Sequence, residues 1–115
     1  MIHASLIVVY TDRLDACHAF YTGLGLTFAK ERHGAGPEHY AATLGGTVFE
    51  LYPAGGRRPV TGSLRLGFTV PAGSTVRTLT PGRHVLTDPD GRVVDLHVIQ
   101  EKVIRPGEGD ALTLP

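Results

Sequence analysis

Residues 39–52 read HYAATLGGTVFELY, and this stretch decides the fold. Two runs rich in aromatic and β-branched residues flank Gly45-Gly46, and a two-glycine loop suits the tight turns that join antiparallel strands. The turn also sets the register of the hairpin, because counting outward from it places Ala41 opposite Glu50. The two predicted strands are Glu38–Leu44 and Thr47–Tyr52.

Side chains alternate across a strand, so this register assigns each side chain of the hairpin to one face of a sheet. One face is apolar and is expected to pack on a helix; it holds Tyr40, Ala42, Leu44, Phe49 and Leu51. The other face is polar around its acid; it holds His39, Ala41, Thr43, Val48, Glu50 and Tyr52. A sheet with a helix on one side and polar groups on the other has the form of a ligand-binding cup.

The segment before the hairpin predicts a strand, a helix and a second, short strand. The aliphatic run Ser5–Tyr10 is typical of a buried strand. Apolar residues then recur at helical spacing, namely Leu14, Cys17, Phe20, Tyr21 and Leu24. Thr11 and Asp12 are expected to cap this helix, and Gly23 and Gly25 are expected to end it. The short strand is Leu26–Lys30.

The rest of the chain repeats the pattern of the first half after a linker, Ala54–Thr61. Residues 92–97 (RVVDLH) match residues 47–52 (TVFELY), and both stretches carry an acid in fourth place after a glycine-bearing turn. Pro71–Gly82 is too short and broken for a full helix. The predicted strands of this half are Ser63–Val70, His84–Thr87 and Val93–Ile99, with Asp88-Pro89-Asp90-Gly91 as the turn.

These elements predict a single α+β domain over residues 1–115. Its parts are module one (about 1–53), a linker (54–62), module two (63–100, with its helix region shortened) and a tail (101–115).

Four short motifs, in this order, make the chain resemble the vicinal oxygen chelate superfamily, which contains glyoxalases, bleomycin resistance proteins and extradiol dioxygenases. They are Ala19-Phe20-Tyr21 with Leu24-Gly25-Leu26, residues 36–41 (GPEHYA), residues 49–53 (FELYP), and Asp88-Pro89-Asp90-Gly91. The resemblance implies paired βαβββ modules whose curled mixed sheets form a cup. It also implies a homodimer, in some members with exchanged modules.

In metal-dependent members, the resemblance implies four ligand positions, which fall near Ser5 and on Glu50, Arg65 and Asp95. A guanidinium has no lone pair to give a metal, so Arg65 disfavours this site and no metal cofactor is expected. The alternative is a divalent ion (Zn, Ni, Mn or Fe) held by Glu50, Asp95 and His3. Arg65 either replaces the metal charge and holds a substrate carboxylate, or simply pairs with one of the two acids.

Side-chain alternation therefore predicts a cup that contains polar residues from both halves. Glu50 and His39 are the candidate catalytic residues. The candidate ligand-binding residues are Arg65, Tyr52, Asp95 and His97.

Composition excludes several classes of partner. The chain has 11 Lys and Arg and 11 Asp and Glu, so a net charge of zero makes nucleic acid and anionic membranes poor partners. Its one cysteine, Cys17, forms no internal disulfide and suits the cytoplasm. The start of the chain lacks the features of a signal peptide, and the apolar run Leu6–Tyr10 is too short to span a bilayer.

Three functions fit these observations. The favoured one is a metal-free small-molecule-binding protein of the drug-resistance or sequestration kind, with a planar or cationic ligand stacked on Tyr52 or Tyr40. The second is a metal-dependent isomerase, lyase or dioxygenase with Glu50 as ligand or base. The third is a non-catalytic interaction module.

Overall fold

The structure, a computed structural model, describes residues 1–100; the predicted tail lies outside the described residues. One helix and seven strands follow the order predicted from the sequence, and the α+β class is confirmed. The elements are β1 (Leu6–Thr11), α1 (Leu14–Gly23), β2 (Phe28–Glu31), β3 (His39–Leu44), β4 (Thr47–Pro53), β5 (Arg65–Pro71), β6 (Gly82–Thr87) and β7 (Val93–Ile99).

The strands form two mixed sheets. Four strands pair in the order β1-β4-β3-β2, and three pair in the order β5-β7-β6. In both sheets the first and last strands of the half lie side by side and parallel, while the hairpin strands are antiparallel. Within residues 1–100, the second sheet has no helix and no strand that matches α1 and β2 of the first half. Residues 72–81 take their place as turns and irregular backbone, so the shortening of the second half removes a strand as well as a helix.

The predicted register of the first hairpin is confirmed, since Ala41 pairs with Glu50 and Leu44 with Thr47. The predicted apolar face is also confirmed, because Phe49 and Leu51 are fully buried. The two sheets and α1 share one hydrophobic core.

Aromatic rings connect the two halves within this core. Phe49 of the first sheet lies 5.5 Å from Phe68 of the second, and Tyr21 of α1 lies 5.3 Å from Phe49, all measured between ring centroids. Both apolar faces therefore contact the same core. The polar face of each sheet points away from it.

The predicted start of the helix is wrong in detail, and its predicted end is partly right. Arg13 occupies the N-cap position and makes no side-chain cap. Thr11 instead belongs to β1, and its hydroxyl accepts the Arg13 N–H at 2.9 Å. At the other end, Gly25 has a φ of 110°, and a Cβ there would lie 2.8 Å from Ser74 Oγ. Glycine is needed at this point because the chain is both left-handed and closely packed.

A buried ionic network joins the second hairpin to the first half of the chain. The Arg92 guanidinium donates to Asp88 and Asp90, at 2.8 Å each, and to the carbonyl of Tyr10 at 3.0 Å. Asp88 also accepts the hydroxyl of Tyr21 at 2.7 Å. The turn between β6 and β7 is thereby fixed to β1 and to α1. The sequence pattern indicated only turn and packing roles for Tyr21, Asp88 and Asp90, and it did not predict the burial of Arg92.

Charge and hydrogen bonding keep this network ionised. Burial raises the pKa of Asp88, but hydrogen bonds from Tyr21 and Arg92 outweigh burial and hold that pKa below its ordinary value. Burial and the hydrogen bond to Asp88 raise the pKa of Tyr21, so its hydroxyl keeps the proton that it donates.

We predict that Asp88→Asn lowers the free energy of unfolding by ~3–5 kcal/mol, because it removes one of the two carboxylates that pair with the buried Arg92 guanidinium. Urea unfolding followed by circular dichroism measures this loss, with the exposed Asp12→Asn as the matched control. Because the folded-state pKa of Asp88 is depressed, its contribution is complete above the ordinary pKa. It is lost as the pH falls through the folded-state value. An Asp88→Asn variant as stable as Asp12→Asn would contradict the prediction.

Candidate functional site

The polar face of the first sheet lines a hollow of about 540 Å³. Glu50 lies on β4 at the centre of this face, and its side chain is 13% exposed. The residues that line this first hollow are Leu6, Val8, Tyr10, Pro37, Glu50, Tyr52, Pro53, Gly55 and Arg58.

Three aromatic side chains lie in a row across the end of this face. Tyr52, on the central strand, stacks on the His39 ring with 3.9 Å between centroids and 11° between planes. On its other side, Tyr52 lies 5.9 Å from the Tyr10 ring. Burial raises the pKa of Tyr52, and the charge of Glu50 adds to this effect, so the hydroxyl stays protonated. The row offers flat apolar surface beside a carboxylate.

His39 is almost completely buried, at 1% exposed, and its ring is held in place from two sides. Its Nδ1 lies 3.2 Å from the Pro37 carbonyl. A carbonyl only accepts, so Nδ1 carries the proton of the neutral ring and Nε2 carries the lone pair. Nε2 has no hydrogen-bond partner among residues 1–100.

Two carboxylates approach the Nε2 atom of His39. Its distances are 3.4 Å to Glu31 Oε1 and 3.7 Å to Glu50 Oε2, and His33 Nε2 lies 3.5 Å from the same Glu31 oxygen. One ligand atom from each of these four side chains lies within 4.8 Å of the others. The part of the chain that the structure describes therefore contains one group able to hold a metal ion.

His39 and Glu50 were predicted as site residues, whereas Glu31 and His33 were not. The predicted second strand ends at Lys30, whereas β2 extends to Glu31, which pairs directly with His39 of β3. His33 lies in a stretch containing glycine and proline, whose composition indicates only a loop. The missed signal was an acid and a histidine at the facing ends of two adjacent strands.

The polar face of the second sheet lines a separate hollow of about 370 Å³, which includes Arg65, Asp95 and His97. Arg65 donates to both oxygens of Asp95, from Nε at 2.7 Å and from Nη2 at 3.0 Å. These hydrogen bonds hold the pKa of Asp95 below its ordinary value. Of the two roles predicted for Arg65, the structure shows the ion pair, and the partner is Asp95 rather than Glu50.

The six predicted cup residues therefore form two groups. The first comprises His39, Glu50 and Tyr52; the second comprises Arg65, Asp95 and His97. Their hollows share no lining residue, so one chain does not bring Glu50 and Asp95 into a common cup. The reason is that both apolar faces pack on the same core and direct the polar faces outward.

The metal set Glu50, Asp95 and His3 is not assembled within one chain. His3 precedes β1 and lies against the hairpin turn, with its Nε2 3.5 Å from where a Cβ of Gly46 would be. The four positions implied by the resemblance do not fit a metal either. Arg65 and Asp95 are already paired with each other, and Glu50 faces a different hollow.

No protein-family model matches the chain, and comparison with curated proteins found no relative. Solved structures do match. TnmS3, an antibiotic binding protein from Streptomyces sp. CB03234, is 21% identical and has a TM-score of 0.56, with 86% of this chain and 97% of that chain covered. A lactoylglutathione lyase from Agrobacterium tumefaciens is 16% identical with a TM-score of 0.52, covering 84% and 92%. An integron cassette protein from V. cholerae is also 16% identical at 0.52, covering 85% and 95%.

These structures and the sheet topology define the class. The chain has the vicinal oxygen chelate fold, as the sequence motifs predicted. No helix among the described residues is both long and apolar enough to cross a membrane.

We predict that Arg65→Ala leaves the urea midpoint of unfolding nearly unchanged, because solvent screens an ion pair between exposed side chains. The matched comparison is Arg92→Ala, which removes the same side chain from the buried network and is expected to lower the midpoint strongly. Equal losses for the two variants would show that the Arg65–Asp95 pair holds the second sheet together.

Proposed function

We propose that the chain is a small-molecule-binding protein of the glyoxalase and bleomycin-resistance kind, and that it binds a planar cationic ligand in the first hollow. The observation that carries this proposal is the position of Tyr10 and Tyr52 beside the carboxylate of Glu50 in one hollow. Aromatic faces and a carboxylate together attract an organic cation, through stacking, cation–π attraction and charge.

The charges around Glu50 support a cationic ligand. Among residues 1–100, no lysine or arginine nitrogen lies within 4.0 Å of its carboxylate, and His39 is its only ionisable basic neighbour at that distance. Arg58 lines the edge of the same hollow without pairing to Glu50. A bound cation would therefore supply the positive charge beside Glu50 that no lysine or arginine of residues 1–100 supplies there. TnmS3 has the same fold and is an antibiotic binding protein, so this fold is compatible with binding an organic molecule.

We propose that this binding does not use the four-ligand metal centre of the metal-dependent members. That centre would need ligands where this chain has Ser5 and Arg65. A lyase, isomerase or dioxygenase, with Glu50 and His39 as catalytic residues, remains the alternative, but no contact in either hollow favours a reaction over binding.

We further propose a homodimer, with or without exchanged modules, in which the first hollow of one copy faces the second hollow of the other. Charge supports this arrangement, because Glu31 and Glu50 lie on the first polar face and Arg65 and Arg83 lie on the second. Such a dimer would bring Tyr52 and Glu50 together with Asp95 and His97. We assign the protein to the cytoplasm, since its one cysteine is buried and unpaired.

We predict that an acridinium dye, a planar aromatic cation, binds the protein and raises its melting temperature, whereas a matched neutral tricyclic compound binds much more weakly. Glu50→Gln should weaken dye binding about tenfold or more, since it removes a buried charge, and Tyr10→Leu should weaken it less. Fluorescence titration measures both effects, and Asp12→Asn is the control. Equal binding of the charged and neutral compounds would contradict the proposal.

We predict that the wild-type chain elutes at twice its monomer mass in light-scattering chromatography. If each cup combines two copies, the Glu50→Gln and Asp95→Asn variants can be mixed and left to exchange subunits. About half of the dimers are then mixed, and each mixed dimer has one cup with both native residues, so about one quarter of all cups should be restored. Dye titration measures the recovered high-affinity fraction. No recovery, or a monomer, would mean that each hollow acts within one chain.

A further inference from the structure

The buried Nε2 atom of His39 faces two carboxylates and has no hydrogen-bond partner among residues 1–100. Nδ1 is directed to the Pro37 carbonyl, so the neutral ring has no proton on Nε2 to offer Glu31 or Glu50. Two carboxylate oxygens at 3.4 and 3.7 Å from a lone pair repel it and each other unless a positive group lies between them. A buried polar atom without a partner is uncommon and is costly.

No lysine or arginine side chain among the described residues meets this need. Lys30 and Arg32 flank Glu31 in sequence, but alternation along the strand directs them to the opposite face. There their nitrogens lie 3.9 and 3.5 Å from Glu38 oxygens. Besides His39, His33 is the one basic group of residues 1–100 within 4.0 Å of Glu31, and it too is a ligand type.

We propose that Glu31, His33, His39 and Glu50 bind one divalent transition-metal ion, with zinc as the best-fitting ion. Two imidazole nitrogens and two carboxylate oxygens are ligands that zinc accepts in a tetrahedral site. The ion would take up the unused lone pair of His39 and neutralise the two acids. This site shares only Glu50 with the four positions implied by the resemblance.

The geometry requires only modest adjustment. Ligand atoms around a tetrahedral zinc with bonds of roughly 2.0 Å lie roughly 3.3 Å apart, and the four atoms here already lie within 4.8 Å of one another. The His33 side chain is 70% exposed and the Glu31 side chain 39% exposed, so both have room to rotate inward. His39 is already oriented.

The contacts that His39 makes on its other sides support the same assignment. The bond from Nδ1 to a backbone carbonyl is the arrangement that commonly fixes a metal-binding histidine and selects its tautomer. The ring of Tyr52 stacks on His39 and covers one face of it. Both contacts orient Nε2 of His39 toward the space between the two acids, where the ion would bind.

The site does not rest on the proposed organic ligand. Tyr52, on the central strand, lies between the rings of Tyr10 and His39. The two sites share Glu50, so each needs its own variant: Tyr10→Leu for the dye and His33→Ala for the metal.

The test is zinc binding to the metal-stripped, full-length protein, measured by isothermal titration calorimetry without any organic compound. We expect one zinc ion per chain at micromolar or tighter affinity. Glu31→Gln and His33→Ala should each weaken binding at least tenfold, because each removes one of four ligands. Their side chains are exposed, so both variants should fold. His84→Gln and Glu38→Gln are matched controls that replace the same residue types outside the site.

Zinc should also raise the melting temperature of the wild-type protein and not that of the Glu31→Gln/His33→Ala double variant, since an ion stabilises the state that binds it. His39→Phe keeps the ring stack while removing the ligand and should abolish binding. Two results would overturn the proposal. One is the absence of zinc binding, which is expected if a proton on His39 satisfies the two acids instead; the other is equal zinc affinity in the wild type and the double variant.

The two proposals can fail separately. His33→Ala should leave acridinium binding unchanged, and Tyr10→Leu should leave zinc binding unchanged.

Discussion

The buried pairing of Arg92 with Asp88 is the constraint on which the arrangement of the two halves depends. A guanidinium out of contact with water needs charged and polar partners, and the two terminal nitrogens of this one donate to Asp88, to Asp90 and to the Tyr10 carbonyl of β1. Tyr21 adds a contact from the helix. The second hairpin can therefore sit in one orientation against the first half. Because that orientation turns both apolar faces toward the same core, it leaves each polar face with its own hollow.

Local rules predicted much of the fold. The Gly45-Gly46 turn set the hairpin register, and alternation along the strands then sorted Phe49 and Leu51 from Glu50 correctly. Both rules depend only on neighbouring residues. The cap of the helix was predicted wrongly because Thr11 continues the strand. The burial of Arg92 was not predicted, since a charged residue after a turn is usually solvated and only distant partners make its burial tolerable.

The candidate site was predictable only as far as strand register determines it. The grouping of His39, Glu50 and Tyr52 followed from register, and the ion pair of Arg65 followed from having an acid near it. Two things required the three-dimensional structure. An internal repeat identifies matching faces but does not say how two sheets pack, so the separation of the two hollows was missed. The addition of Glu31 depended on where β2 ends, and strand ends are weakly encoded.

The missing strand of the second sheet has a chemical consequence. Val85 pairs with Asp95 as Ala41 pairs with Glu50, so two residues earlier Arg83 stands where the first sheet has His39. The described part of this sheet has no counterpart of β2, so no described residue on that side corresponds to Glu31. The two halves therefore share their strand pairing but differ in charge, since Glu31 and Glu50 lie on the first polar face and Arg65 and Arg83 lie beside Asp95 on the second. A chain whose formal charge is zero in this way presents two polar faces of unlike charge.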